Sequence, residues 1–190
     1  FSAELKSEVE SRIFMKTIRG AEVPYINCVI RKKDIKLTPE EAVRQLYIHK
    51  LTNEYKYAPD RIQLEFPIHF GREVKRADIA IMDKDRPLVP YIIVELKKPK
   101  LTDGKEQLKS YCNATGAPIG VWTNGEQISC YNRKDPNFFE EISDIPKDSQ
   151  KLSDIINEKF TYEDLKRKDK ISTQKKSLRS LIKEMEDEVL

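Results

Sequence analysis

The chain has 190 residues, with 35 Lys and Arg against 32 Asp and Glu, so it can bury one domain's core but is too weakly basic overall to imply a nucleic-acid partner by net charge. No apolar run approaches the ~20 residues needed to cross a bilayer and no secretory signal pattern opens the chain, so no membrane partner is expected. Cys28, Cys112 and Cys130 are odd in number and lack a CxxC pattern, which argues against a disulfide framework or a zinc site and for a reducing, cytoplasmic setting.

In chain order, residues 1–20 mix charged and apolar groups (Leu5, Val9, Ile13, Met15, Ile18) and predict a helix ended by Gly20. Tyr25 to Val29 favours strand, and Arg31-Lys32-Lys33 reads as a solvated basic loop. Thr38-Pro39-Glu40-Glu41 predicts a helix start: Thr38 as cap, Pro39 at the first position, Glu41 completing a capping box, and acids at the positive end of the dipole. That helix runs to about Tyr55, with Val43, Leu46, Tyr47, Lys50 and Leu51 as its inner stripe, which Glu40 extends. The two histidines fall in this region and the next strand; His49 and His69 are read as structural or surface residues.

From Arg61 to Phe70 the apolar residues alternate, with Gln63, Glu65 and His69 on the other face, and Pro67 marks an edge or a bulge. Lys75 to Asp83 is the next strand, with Arg76, Asp78 and Ala80 sharing a face. Tyr91 to Leu96 is a β-branched run of the kind buried on both faces, closed by Pro99. Asp103 and Glu106 suggest a capping box for a helix carrying Gln107, Leu108, Tyr111 and Cys112, stopped by Gly116 and Pro118. Ile119 to Thr123 is a strand, Asn124-Gly125 a hairpin turn, and Gln127 to Tyr131 the returning strand. Beyond Arg133 the chain is polar and punctuated by Pro136 and Pro146. Short helices are expected over 150–169 and an amphipathic helix over 173–190. The fold class expected is α/β, a central mixed sheet flanked by helices. A chain that starts at Phe1 and ends inside a helical pattern is expected to be part of something larger.

Chemistry concentrates in the Tyr91–Pro99 stretch. Side chains alternate along a strand, so Ile93, Glu95 and Lys97 share a face. Burying such groups costs several kcal/mol unless they are paired or bind a metal. A neighbouring salt bridge is the plain alternative for Glu95 and Lys97, and pairing with Arg72 or Arg76 for Asp78. In combination, two carboxylates on adjacent strands plus the carbonyl of Leu96 suit a hard cation such as Mg²⁺, and Lys97 beside them can orient water or stabilise charge on phosphorus.

Asp78 followed by Glu95-Leu96-Lys97 resembles the PD-(D/E)xK nuclease superfamily, with Ala77 in place of the proline. Gln107 and Tyr111, one helical turn apart, resemble the Gln-x-x-x-Tyr of RecB-like nucleases and of type I restriction subunits. Residues 38–133 look like the N-terminal nuclease domain of such a subunit. The resemblance implies a restriction-endonuclease-like core with catalytic Asp78, Glu95, Lys97, Gln107 and Tyr111. The metal, Mg²⁺ with Mn²⁺ as a substitute, would be held by Asp78, Glu95 and the Leu96 carbonyl. The helix acid acting through water matches Glu40 or Glu41, and periodicity favours Glu40. Residues 1–37 would be an extension packed on the core, and 134–190 a connector to a following domain. Double-stranded DNA is the implied substrate, gripped by Lys75, Arg76, Lys98, Lys100 and Lys105. A helicase motor or a methyltransferase in the same chain, and specificity or modification subunits, are the implied partners. The chain has no GxxxxGK[ST] loop, so no ATP site is expected in it.

Overall fold

The computed structural model describes residues 1–135 and 138–156. Phe1–Lys151 form one compact unit; of the second, Leu152–Leu190, only 152–156 are described, and they are helical. The amphipathic helix expected over 173–190, and most of 150–169, lie outside the described residues.

The first expectation is half wrong. Helix α1 spans only Ala3–Glu10, capped by Ser2, whose Oγ accepts from the Leu5 amide at 3.2 Å. Ile13–Ile18 is strand β1, paired antiparallel with β2 (Ala21–Cys28), which pairs in turn with β3 (Lys33–Lys36). The β-branched and aromatic residues of Ile13–Ile18 suit a strand. Arg19 and Gly20, both at positive φ (52° and 80°), make a two-residue hairpin turn where a helix stop was expected.

Helix α2 (Pro39–Asn53) begins at the predicted cap, with the Glu41 amide donating to Thr38 Oγ1 at 3.2 Å, but the Glu41 carboxylate accepts from Arg44 and Gln45 instead of closing the capping box. Its burial is wider than one stripe. Val43, Tyr47 and Leu51 are buried, but so are Ile48, Arg44, Gln45 and His49, while Leu46 and Lys50 are only half buried. Packing of α1 against α2 accounts for the extra buried face: Phe1 meets Tyr47 edge-on and Glu8 reaches His49 at 3.0 Å.

A six-stranded sheet follows, in the order β4 (Ile62–Phe70), β5 (Glu73–Met82), β6 (Pro90–Leu96), β7 (Ile119–Thr123), β8 (Ile128–Asp135) and β9 (Phe138–Ile142). All neighbours are antiparallel except β6 and β7, which run parallel across the connection through α3 (Lys105–Thr115). The architecture is therefore mixed α/β with flanking helices, and β6 lies inside the sheet with Ile92, Ile93 and Val94 wholly buried. The sheet does not end at residue 133, because β9 adds a strand that the polar composition of that segment conceals. The predicted Asp103/Glu106 capping box is absent: the cap of α3 is Gly104, left-handed at φ 95°, with no side-chain cap bond. All three cysteines are buried and free, and no helix among the described residues is long and apolar enough to cross a membrane.

Candidate active site

The β5–β6 ladder pairs Ile79 with Val94 and Ala80 with Ile93, so one further step sets Asp78 across from Glu95. There the ladder stops, and Asp78 Oδ2 accepts from the Leu96 amide at 2.7 Å in place of a backbone partner. Glu95 is 3% exposed. Its Oε1 accepts from Lys97 Nζ at 3.0 Å, while the buried Oε2 has no hydrogen-bond partner among the described residues. Burial and the charge of Asp78 push the Glu95 carboxyl up to about 7 against the pull of Lys97, and Glu40 adds to the rise. Burial alone would lower the Lys97 ammonium, but Glu95, Asp103 and Asp78 outweigh it and leave its pKa raised.

Lys97 is held by the segment that follows it. Its amide donates to the Thr123 carbonyl at 2.9 Å, which extends the β6–β7 pairing. A Cβ on Gly104 would run into Cε of Lys97 and lie 3.2 Å from its Nζ, so the lysine occupies space that only glycine leaves open. Trp122 Nε1 donates to the Asp103 carbonyl at 2.7 Å and Asn124 Nδ2 to the Leu101 carbonyl at 2.8 Å, tying residues 98–104 to β7 and its hairpin. On α3, the exposed Gln107 donates from Nε2 to Tyr111 Oη at 2.7 Å. Tyr111 is 3% exposed, packs with Ile93, Leu108 and Trp122, and faces Phe70 at 6.1 Å between ring centroids. Burial raises its pKa, with contributions from Glu95 and Asp78, so the hydroxyl stays protonated near the acids.

Two residues not foreseen from sequence complete the site. Arg44, 6% exposed on α2, sends Nη2 to Asp78 Oδ1 at 2.5 Å, to Glu65 at 3.0 Å and to Glu40 at 3.8 Å. Its Nη1 meets Glu41 Oε2 at 2.6 Å, and Glu41 is gripped further by Gln45 at 2.8 Å and Arg31 at 3.4 Å. Glu41 is thus a buried partner of arginine, and Glu40 is the helix acid whose charge acts on Glu95. The solvated reading of Arg31 is corrected too, since it contacts Glu41 and, at 3.5 Å, Glu65. Glu65 enters through its backbone: at φ 54° it drops out of the β4–β5 ladder opposite Asp78. The Glu40/Arg44 and Glu41/Arg44 spacings were a readable helix signal; nothing local announced the left-handed turn at Glu65.

The predicted basic residues gather at the same end of the sheet, because the start of β5 lies beside the end of β6. Lys75, Arg76, Lys98 and Lys100 are exposed. Lys75 also approaches Glu73 at 3.6 Å and the Phe70 ring at 5.7 Å, and Lys105 sits 5.0 Å above the Trp122 ring.

The family model of the type I restriction enzyme R protein N terminus (HSDR_N) matches residues 39–146. The chain belongs to this family. The match takes in α2, the whole six-stranded sheet and every site residue named above except Arg31. No curated protein matches the chain. Among solved structures, a DUF820 protein from Anabaena variabilis, described as a candidate nuclease, is similar at 15% identity and a TM-score of 0.40, covering 68% of this chain and 76% of that one.

Does this R-protein N-terminal domain offer a place for a divalent cation? Among the described residues no three His, Cys, Asp or Glu side chains close into a ready ligand cage. The fit is to a sparser set. Glu95 Oε2 is a buried carboxylate oxygen with nothing to bond, Asp78 stands across from it, and both carry lone pairs beyond those already used. Two carboxylates and a carbonyl with open positions match the way Mg²⁺ binds while keeping several waters.

Proposed function

We propose that this type I restriction N-terminal domain is a Mg²⁺-dependent DNA endonuclease that hydrolyses backbone phosphodiesters. The observation that carries the reading is the unsatisfied Glu95 Oε2, buried between Asp78 and Lys97. A buried carboxylate oxygen left without a partner costs on the order of 1–3 kcal/mol, and a cation relieves that cost. Asp78, Glu95 and the Leu96 carbonyl would hold Mg²⁺, or Mn²⁺ in its place, with Glu40 acting through water. The bound ion would polarise a phosphoryl oxygen and acidify a water.

The raised pKa keeps Lys97 an ammonium, which can donate but not accept a proton. Its role is then to hold Glu95 and to donate to the phosphoryl oxygens as negative charge builds there. Gln107, exposed and bonded to Tyr111, would contact the DNA backbone, and Tyr111 would fix its reach. Lys75, Arg76, Lys98, Lys100 and Lys105 would grip phosphates without reading sequence. Target choice and ATP-driven movement would come from a helicase or methyltransferase region in the same chain and from specificity and modification subunits. Three unpaired cysteines suit a reducing cytoplasm.

The test is plasmid cleavage with Mg²⁺ or Mn²⁺ by the full-length protein. Asp78→Ala and Lys97→Ala should each lower cleavage by at least ~100-fold, the scale of losing one group that stabilises the transition state. Cleavage that survives both substitutions sinks the assignment. The Arg44–Asp78 ion pair favours a second reading, a nuclease fold that binds DNA or docks subunits without cutting. Such a module would show no Mn²⁺ affinity that depends on Asp78 and Glu95. A repair or resolvase-type nuclease would instead prefer branched over linear DNA.

A further inference from the structure

The acid cluster has two sides, and they differ. On the side of β6, Glu95 Oε2 is the one buried carboxylate oxygen of the cluster without a partner among the described residues. On the side of α2, the carboxylates already share a cation. Arg44 Nη2 lies among Asp78, Glu65 and Glu40, at 2.5, 3.0 and 3.8 Å. It is not there by the chance reach of a long side chain. Glu41 fixes Nη1 from behind at 2.6 Å, and Gln45 and Arg31 fix Glu41. The guanidinium is buried and cannot lose its charge at any ordinary pH.

Metal centres that cleave phosphodiesters use either one ion or two, and a pair shares a bridging carboxylate with further oxygens on its far side. Here the bridging candidate is Asp78 and the far-side oxygens are those of Glu65 and Glu40. We propose that Arg44 is the built-in second cation of this centre. Its Nη2 fills the position between Asp78, Glu65 and Glu40, so the protein takes up a single divalent ion, between Asp78 and Glu95. Glu65 is a positioning residue in this arrangement, and its left-handed backbone accompanies the approach of its carboxylate to the guanidinium. A second dication would meet the fixed charge of Arg44 at close range, with one oxygen each of Asp78 and Glu65 already paired to it.

The inference rests on the reading that Asp78 and Glu95 hold a divalent ion, and one experiment separates the two. Mn²⁺ is titrated into the full chain and free Mn²⁺ is counted by electron paramagnetic resonance, scoring only ions whose binding Asp78→Asn abolishes. The wild-type protein should bind one such ion. Arg44→Lys, which keeps a cation on the helix, should also bind one, and Arg44→Ala should bind two. Arg44→Ala leaves Glu41 buried without its arginine, so Glu41→Gln/Arg44→Gln is the parallel variant, and it too should bind two. Two ions on the wild-type chain overturn the inference and leave the nuclease reading standing. One ion on a folded Arg44→Ala or double variant also overturns it. No Asp78-dependent ion on the wild-type chain overturns both. A purely structural Arg44 would change melting temperature and leave the count at one.

Discussion

Glu95 faces opposite demands with and without a cation. Without one it is a buried acid whose pKa is raised to about 7 from a usual 4.5, by burial first and by the charge of Asp78 second. The folded state therefore holds its proton more tightly than the unfolded chain does. Stability from this group is fully present below about pH 4.5 and is lost as pH rises through about 7. In a chelator, the stability of Glu95→Gln should gain on that of the wild type between pH 5 and pH 8, by an amount on the order of 1–3 kcal/mol read from melting curves. A difference that stays flat with pH would contradict the assignment. Mn²⁺ affinity should rise across the same interval, because the ion must displace that proton. Asp78, Glu95 and Lys97 were legible in the sequence because strand alternation fixes their face. The contact of Arg44 with Asp78 and the arrival of Glu65 were not. Arg44 meets Asp78 across 34 residues of chain, and Glu65 arrives through a backbone turn that no neighbouring residue type demands.

At the scale of elements, the segment between β6 and α3 decides where the lysine stands. Gly104 combines a positive φ of 95° with a surface that Lys97 lies against. Gly104→Ala should therefore do two things at once. It should cost about 1–2 kcal/mol of stability, the usual penalty of a left-handed non-glycine residue. It should also lower cleavage, since the end of the Lys97 side chain must shift to make room. Thermal melts and a cleavage assay on the same preparation check both, and loss of stability with unchanged cleavage would show that the contact is not needed. The strong helix start of α2 and the alternation of β4 and β5 were readable because single-residue chemistry sets them. Strand β1 was misread because Leu5, Val9 and Ile13 carry a helical spacing into it, and β9 because its two acids, Glu140 and Glu141, hide a strand that the ladder with β8 stabilises. The start of α3 was misread because a packing requirement overrode an acceptable capping box.

Across the whole molecule, a net charge of +3 says little, and the placement of cations says more. Lys98 and Lys100 lie just beyond β6 and are exposed. Replacing both with Ala should weaken binding to all DNA sequences alike and flatten the salt dependence of log K by roughly 2. An unchanged slope in fluorescence anisotropy at several salt concentrations would remove them from the interface. The compact unit reaches Lys151, so a fragment cut at residue 133 would lose β9 and expose β8. At the other flank of the sheet lies β4. Among the described residues strand β4 has a strand partner on one side only, and an unpaired strand edge is a template on which other chains can add and aggregate. Pro67 removes an amide from that strand, and the left-handed turn at Glu65 breaks its run two residues earlier. The backbone irregularity that delivers a carboxylate to Arg44 thus also blunts the edge of the sheet, so straightening β4 at Glu65 would expose the protein to self-association as well as disturb its acid cluster.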